Sequence, residues 1–153
     1  IRRPPRSTQG VSSAASDVYK RQVLDYGCGS GILGISAIKL GAKSVTAIDL
    51  DPQAVIASKN NAEKNHVQQE IEITDNNKTI EKNFNIIVAN ILAKPLIELA
   101  PYFYKKLNKE GAICLSGILE GQINIIKDAY LKYFNLSEIK IKDGWVMMSG
   151  IKL

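Results

Sequence analysis

Val23-Leu24-Asp25-Tyr26-Gly27-Cys28-Gly29-Ser30-Gly31, followed by Ile32-Leu33-Gly34, is the stretch on which the reading of this chain turns. A short run of strand character ends in a cluster of glycines. The cluster opens onto a segment of helical spacing, with Ile32, Ile35 and Ile38 beside Leu33, Ala37 and Leu40 on a broad apolar face and Gly41 at its end. Glycines suit such a junction because a side chain would block the approach of backbone to a ligand, and because the turn can visit positive φ. The helix N-terminus beyond them presents unpaired N–H groups to an anionic group. A tight strand-to-helix turn with no ligand is the alternative reading.

Downstream, residues 44–50 read as a second strand ending in Asp49 and Asp51, with Pro52 at the first turn of a helix that runs to about residue 65. Residues 70–74 alternate in the strand manner, and residues 84–89 have buried-strand character and end at Asn90. A helix is expected over 95–107, leading through Gly111 into a strand over 112–116, then a helix over 120–133. Two closing strands, 136–142 and 145–152, flank Asp143-Gly144, a strong hairpin signal. Strands alternating with helices predict an α/β, doubly wound, mostly parallel sheet covered on both faces, and the closing hairpin adds an antiparallel end. No apolar run approaches the eighteen residues of a membrane span, so no membrane partner is expected.

Upstream, the pattern stops. Residues 1–22 hold Arg2, Arg3, Arg6, Lys20 and Arg21 against Asp17, so this segment carries most of the formal charge of +5. Residues 23–153 are nearly neutral, with 15 basic and 14 acidic side chains, and the basic balance is therefore no argument for a nucleic-acid partner. The front segment has no hydrophobic periodicity and no seven-residue apolar core of a secretory leader. The chain begins at Ile1 and its first methionine is Met147, which reads as an internal piece of a reading frame. RRPPRST and SSAASDVYKRQ resemble the translated remnant of a sequencing adapter, so residues 1–22 are read as a non-native leader, with a disordered basic arm as the alternative. The expected organisation is this leader and one domain over 23–153.

That domain is long enough to bury a core without disulfides or a structural metal. Cys28 and Cys114 form no CxxC and read as packing residues of a reduced, intracellular protein. His66, the single histidine, lies in a polar connection and is a poor metal or catalytic candidate, so no metal site is expected. Trp145, Met147 and Met148 read as core or rim of the last strand.

The ligand of the glycine loop is the harder question. Gly29 to Gly34 satisfies GxGxxG, so a nicotinamide dinucleotide and an oxidoreductase must be considered. Against that stand Gly27 and Asp25, which extend the pattern to DxGxGxG. A dinucleotide loop gathers a pyrophosphate and tends to avoid a neighbouring carboxylate. S-adenosyl-L-methionine carries an amino-acid tail whose ammonium Asp25 could meet, directly or through water. Asp49, at a strand end, is placed to accept hydrogen bonds from ribose hydroxyls of either cofactor, and Asp51 reads instead as a helix cap. Asn90 is either a cap of the next helix or a group aimed into the cleft. Asp75 has an adenine contact and a turn role with Asn76 and Asn77 as equal readings.

VLDYGCGSGILGISAIKLGAKSVTAIDLDPQAVIASKNNAEKN at 23–65, IIVANILAKPLIELAP at 86–101 and LSGILEGQ at 115–122 together resemble the ribosomal protein L11 methyltransferase family, over essentially all of residues 23–153. The first segment alone would indicate only the broad class of Rossmann-like class I methyltransferases; the second and third sharpen it. The resemblance implies a seven-stranded sheet whose last strand is antiparallel, S-adenosyl-L-methionine as cofactor, and methyl transfer to a lysine or α-amine of a large-subunit ribosomal protein. Gly27, Asp49 and Asn90 would bind the cofactor, with Gly29, Gly31 and Asp25 in the same loop, and Asn90 would lie beside the accepting amine as the catalytic group. No residue reads as a dedicated base. A cytoplasmic monomer is expected. The family also has an N-terminal substrate-recognition domain, a linker and a segment that helps close the cofactor site, in whose place residues 1–22 are expected to stand. Gly144 stands where an acid is expected before the tryptophan, which removes any role for that acid. A small-molecule methyltransferase and an inactive cofactor-binding remnant are the other readings.

Overall fold

A computed structural model describes residues 21–153; the expectations for residues 1–20 lie outside the described residues. In chain order the elements are β1 (Gln22–Tyr26), α1 (Ile32–Lys39), β2 (Ser44–Ile48), α2 (Pro52–Lys64), β3 (Ile71–Thr74), β4 (Phe84–Asn90), α3 (Ala93–Lys106), β5 (Leu107–Leu119), α4 (Ile123–Tyr130), β6 (Phe134–Lys142) and β7 (Trp145–Lys152). They form one seven-stranded sheet in the order β3-β2-β1-β4-β5-β7-β6. The first five strands in that order are parallel, and β7 pairs antiparallel with both β5 and β6. From β1 the chain winds outward through β2 and β3, and from β4 it winds the other way. The order therefore reverses between β1 and β4, and a crevice opens at their C-terminal ends.

The turns follow the chemistry of their residues. Gly41, at φ 104°, donates to the Ile38 carbonyl while Ala42 donates to Ala37, a Schellman closure that stops α1. Asp51 caps α2 by accepting the Gln53 N–H at 2.9 Å, with Pro52 at the first helical position. Asp143 and Gly144 both have positive φ, 52° and 79°, as a two-residue hairpin between right-twisted strands requires.

Several boundaries depart from the sequence reading: β1 starts at Gln22, inside the segment read as a leader, β2 ends at Ile48 rather than 50, and β6 starts at Phe134 rather than 136. Helix α3 starts at Ala93 rather than 95, which places Pro95 in the first turn, where its missing N–H loses no bond. Strand β5 starts at Leu107, not 112: Leu107 pairs with Phe84, and the register shifts before Ala112 meets Ile86. The predicted helix over 120–133 divides into a 3-10 turn, Glu120–Gln122, and the shorter α4, because the Gln122 side chain accepts the Leu119 N–H at 2.9 Å and shapes the turn.

Helices cover both faces. Leu96, Ala100 and Phe103 of α3 and Ile126 and Tyr130 of α4 pack with Leu24, Phe84, Ile87 and Leu115 of the strands on one side. Ile35 of α1 and Ala62 of α2 pack with Val23, Val45, Ala47 and Ile71 in a smaller cluster. The Tyr130 hydroxyl, fully buried, donates to the Leu96 carbonyl at 2.7 Å and so joins α4 to α3 without leaving an unmet polar group. Phe103 is fully buried and meets Tyr26 edge-on, with ring centroids 5.4 Å apart, so this face also holds the end of β1. Phe103→Ala should cost about 3–5 kcal/mol by leaving a cavity there, read as a lower urea midpoint at unchanged slope.

Candidate functional site

The loop from Gly27 to Gly31 lies at the end of β1 and is tied down by backbone bonds. Gly27 and Cys28 both donate to the Ile48 carbonyl at the end of β2, at 2.8 and 2.9 Å, and Gly31 donates to Cys28 at 2.8 Å. Gly27, Gly29 and Gly31 have φ of 76°, 53° and 84°, values that a side chain disfavours. Gly31 is the N-cap of α1 and lies against α2, where an added Cβ would be 3.0 Å from that of Ser58. An added Cβ on Gly29 would point into open space, the direction from which a ligand could approach.

Asp25 is 1% exposed. Its Oδ2 accepts the Gly34 N–H at 2.9 Å, so an internal carboxylate already occupies a donor of the helix N-terminus that a pyrophosphate would seek. Gly34 permits this approach, since a Cβ there would lie 3.2 Å from that oxygen and 3.0 Å from Val45. The third glycine of the GxGxxG match thus serves helix–sheet packing. Oδ1 of Asp25 has no partner among the described residues. Burial pushes this carboxyl up to about 6, against the lowering effect of the Gly34 bond, and the charge of Asp49 adds to the rise. Asp25 therefore engages the first turn of α1, and its other oxygen, Oδ1, is buried without a partner among the described residues.

Asp49 is half-buried at the end of β2. Its Oδ2 accepts the Gly29 N–H and its Oδ1 the Asp51 N–H, both at 2.9 Å. Two of the roughly four acceptor positions of a carboxylate remain for ribose hydroxyls. Asn90 is exposed at the end of β4, and its side chain makes no hydrogen bond with the described residues. The N-cap of α3 is Leu92, without a side-chain bond, so Asn90 does not cap that helix.

Asn90, Ile91 and Leu92 form a wall shared by two clefts. The first, about 400 Å³, is bounded by Tyr26, Gly27, Asp49 and Leu50. The second, about 480 Å³, is bounded by Ser116, Gly117 and Trp145. Gly27, Asp49 and Asn90 thus meet around one cavity, while Gly29, Gly31 and Asp25 support its loop. Trp145 is 52% exposed and flanks the second cleft, so of the two readings of that residue the structure takes the rim. Sequence reasoning did not single out Gly117; a glycine inside an apolar strand is the available signal, because it marks a bulge or a close backbone approach. A depression of about 600 Å³ between α1 and α2 is larger, but it lies away from the strand ends where ligands bind in such sheets.

The other candidates have structural explanations. Cys28 is buried beside Ser58, its thiol pushed up to about 11 by burial, and burial also raises Cys114. Both stay protonated near neutrality, as packing residues. His66, at φ 57°, ends the turn after α2 by donating its backbone N–H to Glu63. Asn76 caps the turn Asn77–Thr79, and Asn77 donates to the Tyr26 hydroxyl at 3.0 Å, while Asp75 is exposed. Among the described residues no cluster of histidine, cysteine and acidic side chains could hold a metal, and no helix is long and apolar enough to cross a membrane.

Comparison with known proteins gives a consistent result. The family model described as Ribosomal protein L11 methyltransferase (PrmA) matches residues 12–152. The ribosomal protein L11 methyltransferase of Haemophilus influenzae (strain PittEE) is 44% identical over 135 residues, covering 88% of this chain and 46% of that protein. The one of Hahella chejuensis (strain KCTC 2396) is 44% identical over 133 residues, covering 87% and 46%. The chain thus spans about half the length of the curated relatives it matches. A crystal structure of a ribosomal protein L11 methylase from Lactobacillus delbrueckii subsp. bulgaricus superposes with a TM-score of 0.83 at 30% identity, over 95% of this chain and 80% of that one. An RNA methyltransferase from Salinibacter ruber, in complex with S-adenosyl-L-homocysteine, shares the fold at a TM-score of 0.71 and 15% identity, over 99% of this chain and 94% of that one.

The buried carboxyl makes a pH prediction. Asp25 binds its proton more tightly in the folded state than in the unfolded chain, whose value is 3.8, so its contribution to stability is full below about pH 4 and is lost as pH rises to about 6. The loss amounts to about 3 kcal/mol. Asp25→Asn should remove that falling component, seen as a wild-type-minus-variant difference in unfolding free energy that declines between pH 4 and 6 and is flat above.

Proposed function

The chain belongs to the ribosomal protein L11 methyltransferase family, and from that premise we propose that its described domain binds S-adenosyl-L-methionine and methylates protein amines, lysine side chains or an α-amine, of a large-subunit ribosomal protein. The observation that carries the proposal is the shared wall: Asn90, Ile91 and Leu92 separate a cleft that suits a nucleoside cofactor from a second cleft through which an acceptor can reach the same residues.

The residues present fit that cofactor. Asp49 has acceptor positions left for ribose hydroxyls, and the orphaned, buried Oδ1 of Asp25 suits a cationic amino-acid tail, met through a water. The glycine loop lets its backbone approach closely. A nicotinamide dinucleotide fits less well, because Asp25 already takes the Gly34 N–H and would stand beside a pyrophosphate.

When bound, the cofactor supplies a sulfonium-linked methyl that is already activated, so the chain has to position a neutral amine in line. An α-amine, with a pKa of about 7.7–8.0, is partly neutral at pH 7, whereas a lysine near 10.4 costs about 5 kcal/mol to deprotonate there. An acceptor amine seated between Leu92 and Trp145 in the second cleft would lose water there, and that desolvation supplies part of the cost. The Asn90 side-chain oxygen, with neighbouring backbone carbonyls, accepts hydrogen bonds from the amine and orients its lone pair, and water takes the released proton.

Calorimetric titration of the chain should show binding of S-adenosylhomocysteine and none of NAD; the reverse would return the oxidoreductase reading, and binding of neither the remnant. Asp49→Ala should weaken S-adenosylhomocysteine by about tenfold or more. Asn90→Ala should bind it within about threefold of wild type yet transfer methyl to ribosomal protein L11 at least about a hundredfold more slowly. Unchanged methylation would remove Asn90 from the mechanism.

A further inference from the structure

Asn90 is the last residue of β4 and stands opposite Ser116 in the register of β5. Immediately beyond that pair, β5 departs from its other neighbour. Leu115 pairs with Met148 and Ile118 with Val146, so Ser116 and Gly117 of β5 face Met147 alone. This is a β-bulge with Gly117 at φ 80°, a conformation that L side chains rarely adopt.

The bulge is filled from the other side by Ile91. A Cβ placed on Gly117 would overlap the Ile91 carbonyl oxygen and would lie only 2.9 Å from its carbonyl carbon and 3.0 Å from its nitrogen. The Ile91 side chain reaches the opposite way, so that a Cβ on Gly27 would overlap its Cγ2. Ile91 is thus held between two left-handed glycines, its methyl against the cofactor loop and its peptide against the bulge. The two contacts differ in kind. Side-chain packing at Gly27 can adjust by rotation, but the backbone at Gly117 cannot yield without moving the residues bonded on either side of Ile91, Leu92 through its carbonyl carbon and Asn90 through its nitrogen.

Resting on the cofactor-site reading above, we propose that Gly117 is a positioning residue for methyl transfer: its missing side chain seats the Ile91 peptide in the β5 bulge and thereby fixes where the Asn90 side chain meets the acceptor amine. A methyl group at this position would push the Ile91 carbonyl back by about 1 Å to restore ordinary contact. Displacements of about 1 Å at a reacting centre cost on the order of a hundredfold in rate. Gly117 bounds the second cleft and not the first, so the contacts of Gly27 and Asp49 with the cofactor would be kept while the Asn90 end of the shared wall moves.

The test reads geometry without turnover. S-adenosylhomocysteine is compared with the cofactor analogue in which a carbon bearing an amine replaces the methyl-bearing sulfur, so that its ammonium occupies the place where methyl and acceptor meet. Wild-type chain should bind the analogue more tightly than S-adenosylhomocysteine by about tenfold, the value of a hydrogen bond to a charged group. Gly117→Ala should lose that preference while binding S-adenosylhomocysteine within about threefold of wild type. Preference retained in Gly117→Ala, or absent from wild type, overturns the inference alone. Failure of wild type to bind S-adenosylhomocysteine overturns the cofactor-site reading, and this inference with it. If Gly117→Ala melts too low to titrate, amide spectra of wild type decide: exchanging S-adenosylhomocysteine for the analogue should shift the Ile91 and Gly117 resonances, and unmoved resonances overturn the inference.

Discussion

The C-terminal ends of β1 and β4 lie side by side at the centre of the sheet, and Ile91 can lean across from one to the other because Gly27 has no side chain to stop it. The rest of the site depends on that close approach. It places the wall of the Asn90 segment against the glycine loop, and it makes one cavity of residues from β1, β2 and β4. A side chain on Gly27 would turn the Ile91 methyl out of the gap between the two strand ends and reshape the wall that Asp49 and Asn90 share.

The electrostatics at the end of β1 are costly to the fold. A carboxylate buried at the end of β1, with one oxygen unpartnered and a second acid nearby, is held against its preference for water. The Gly34 bond offsets part of that cost and keeps the N-terminus of α1 on the sheet. An apolar residue at the same place would pack without the penalty but could neither hold the Gly34 N–H nor attract a cation. Perturbed acids of this kind gather at sites where charge is used.

Much of the architecture was legible in the sequence because the signals are local. Gly41, the pair Asp51 and Pro52, and the dipeptide Asp143-Gly144 each stop, start or turn the chain through their own backbone preferences, and the structure uses each for that purpose. The boundaries that shifted depend on distant partners. Strand β5 extends back to Leu107 because Phe84 is there to pair with it, and the predicted final helix is shortened because the Gln122 side chain folds back onto Leu119. Trp145 could be read as core or rim from its strand position, and its exposure beside the second cleft settles which.

The sequence by itself determined the α/β alternation, the glycine loop, the antiparallel end and the residue types around the cleft, because turn chemistry and hydrophobic period act over a few residues at a time. It also determined that residues 23–153 are nearly neutral and so give no electrostatic reason to seek nucleic acid. Tertiary structure alone decided that Asp25 binds Gly34 before it could meet a ligand, that Asn90 is a wall residue and not a cap, and that Ile91 is seated between Gly27 and Gly117. The first joins β1 to the helix that follows it, and the last brings together segments far apart in the chain. Their geometry is set by how strands register and how closely two backbones can pass, which no local pattern encodes.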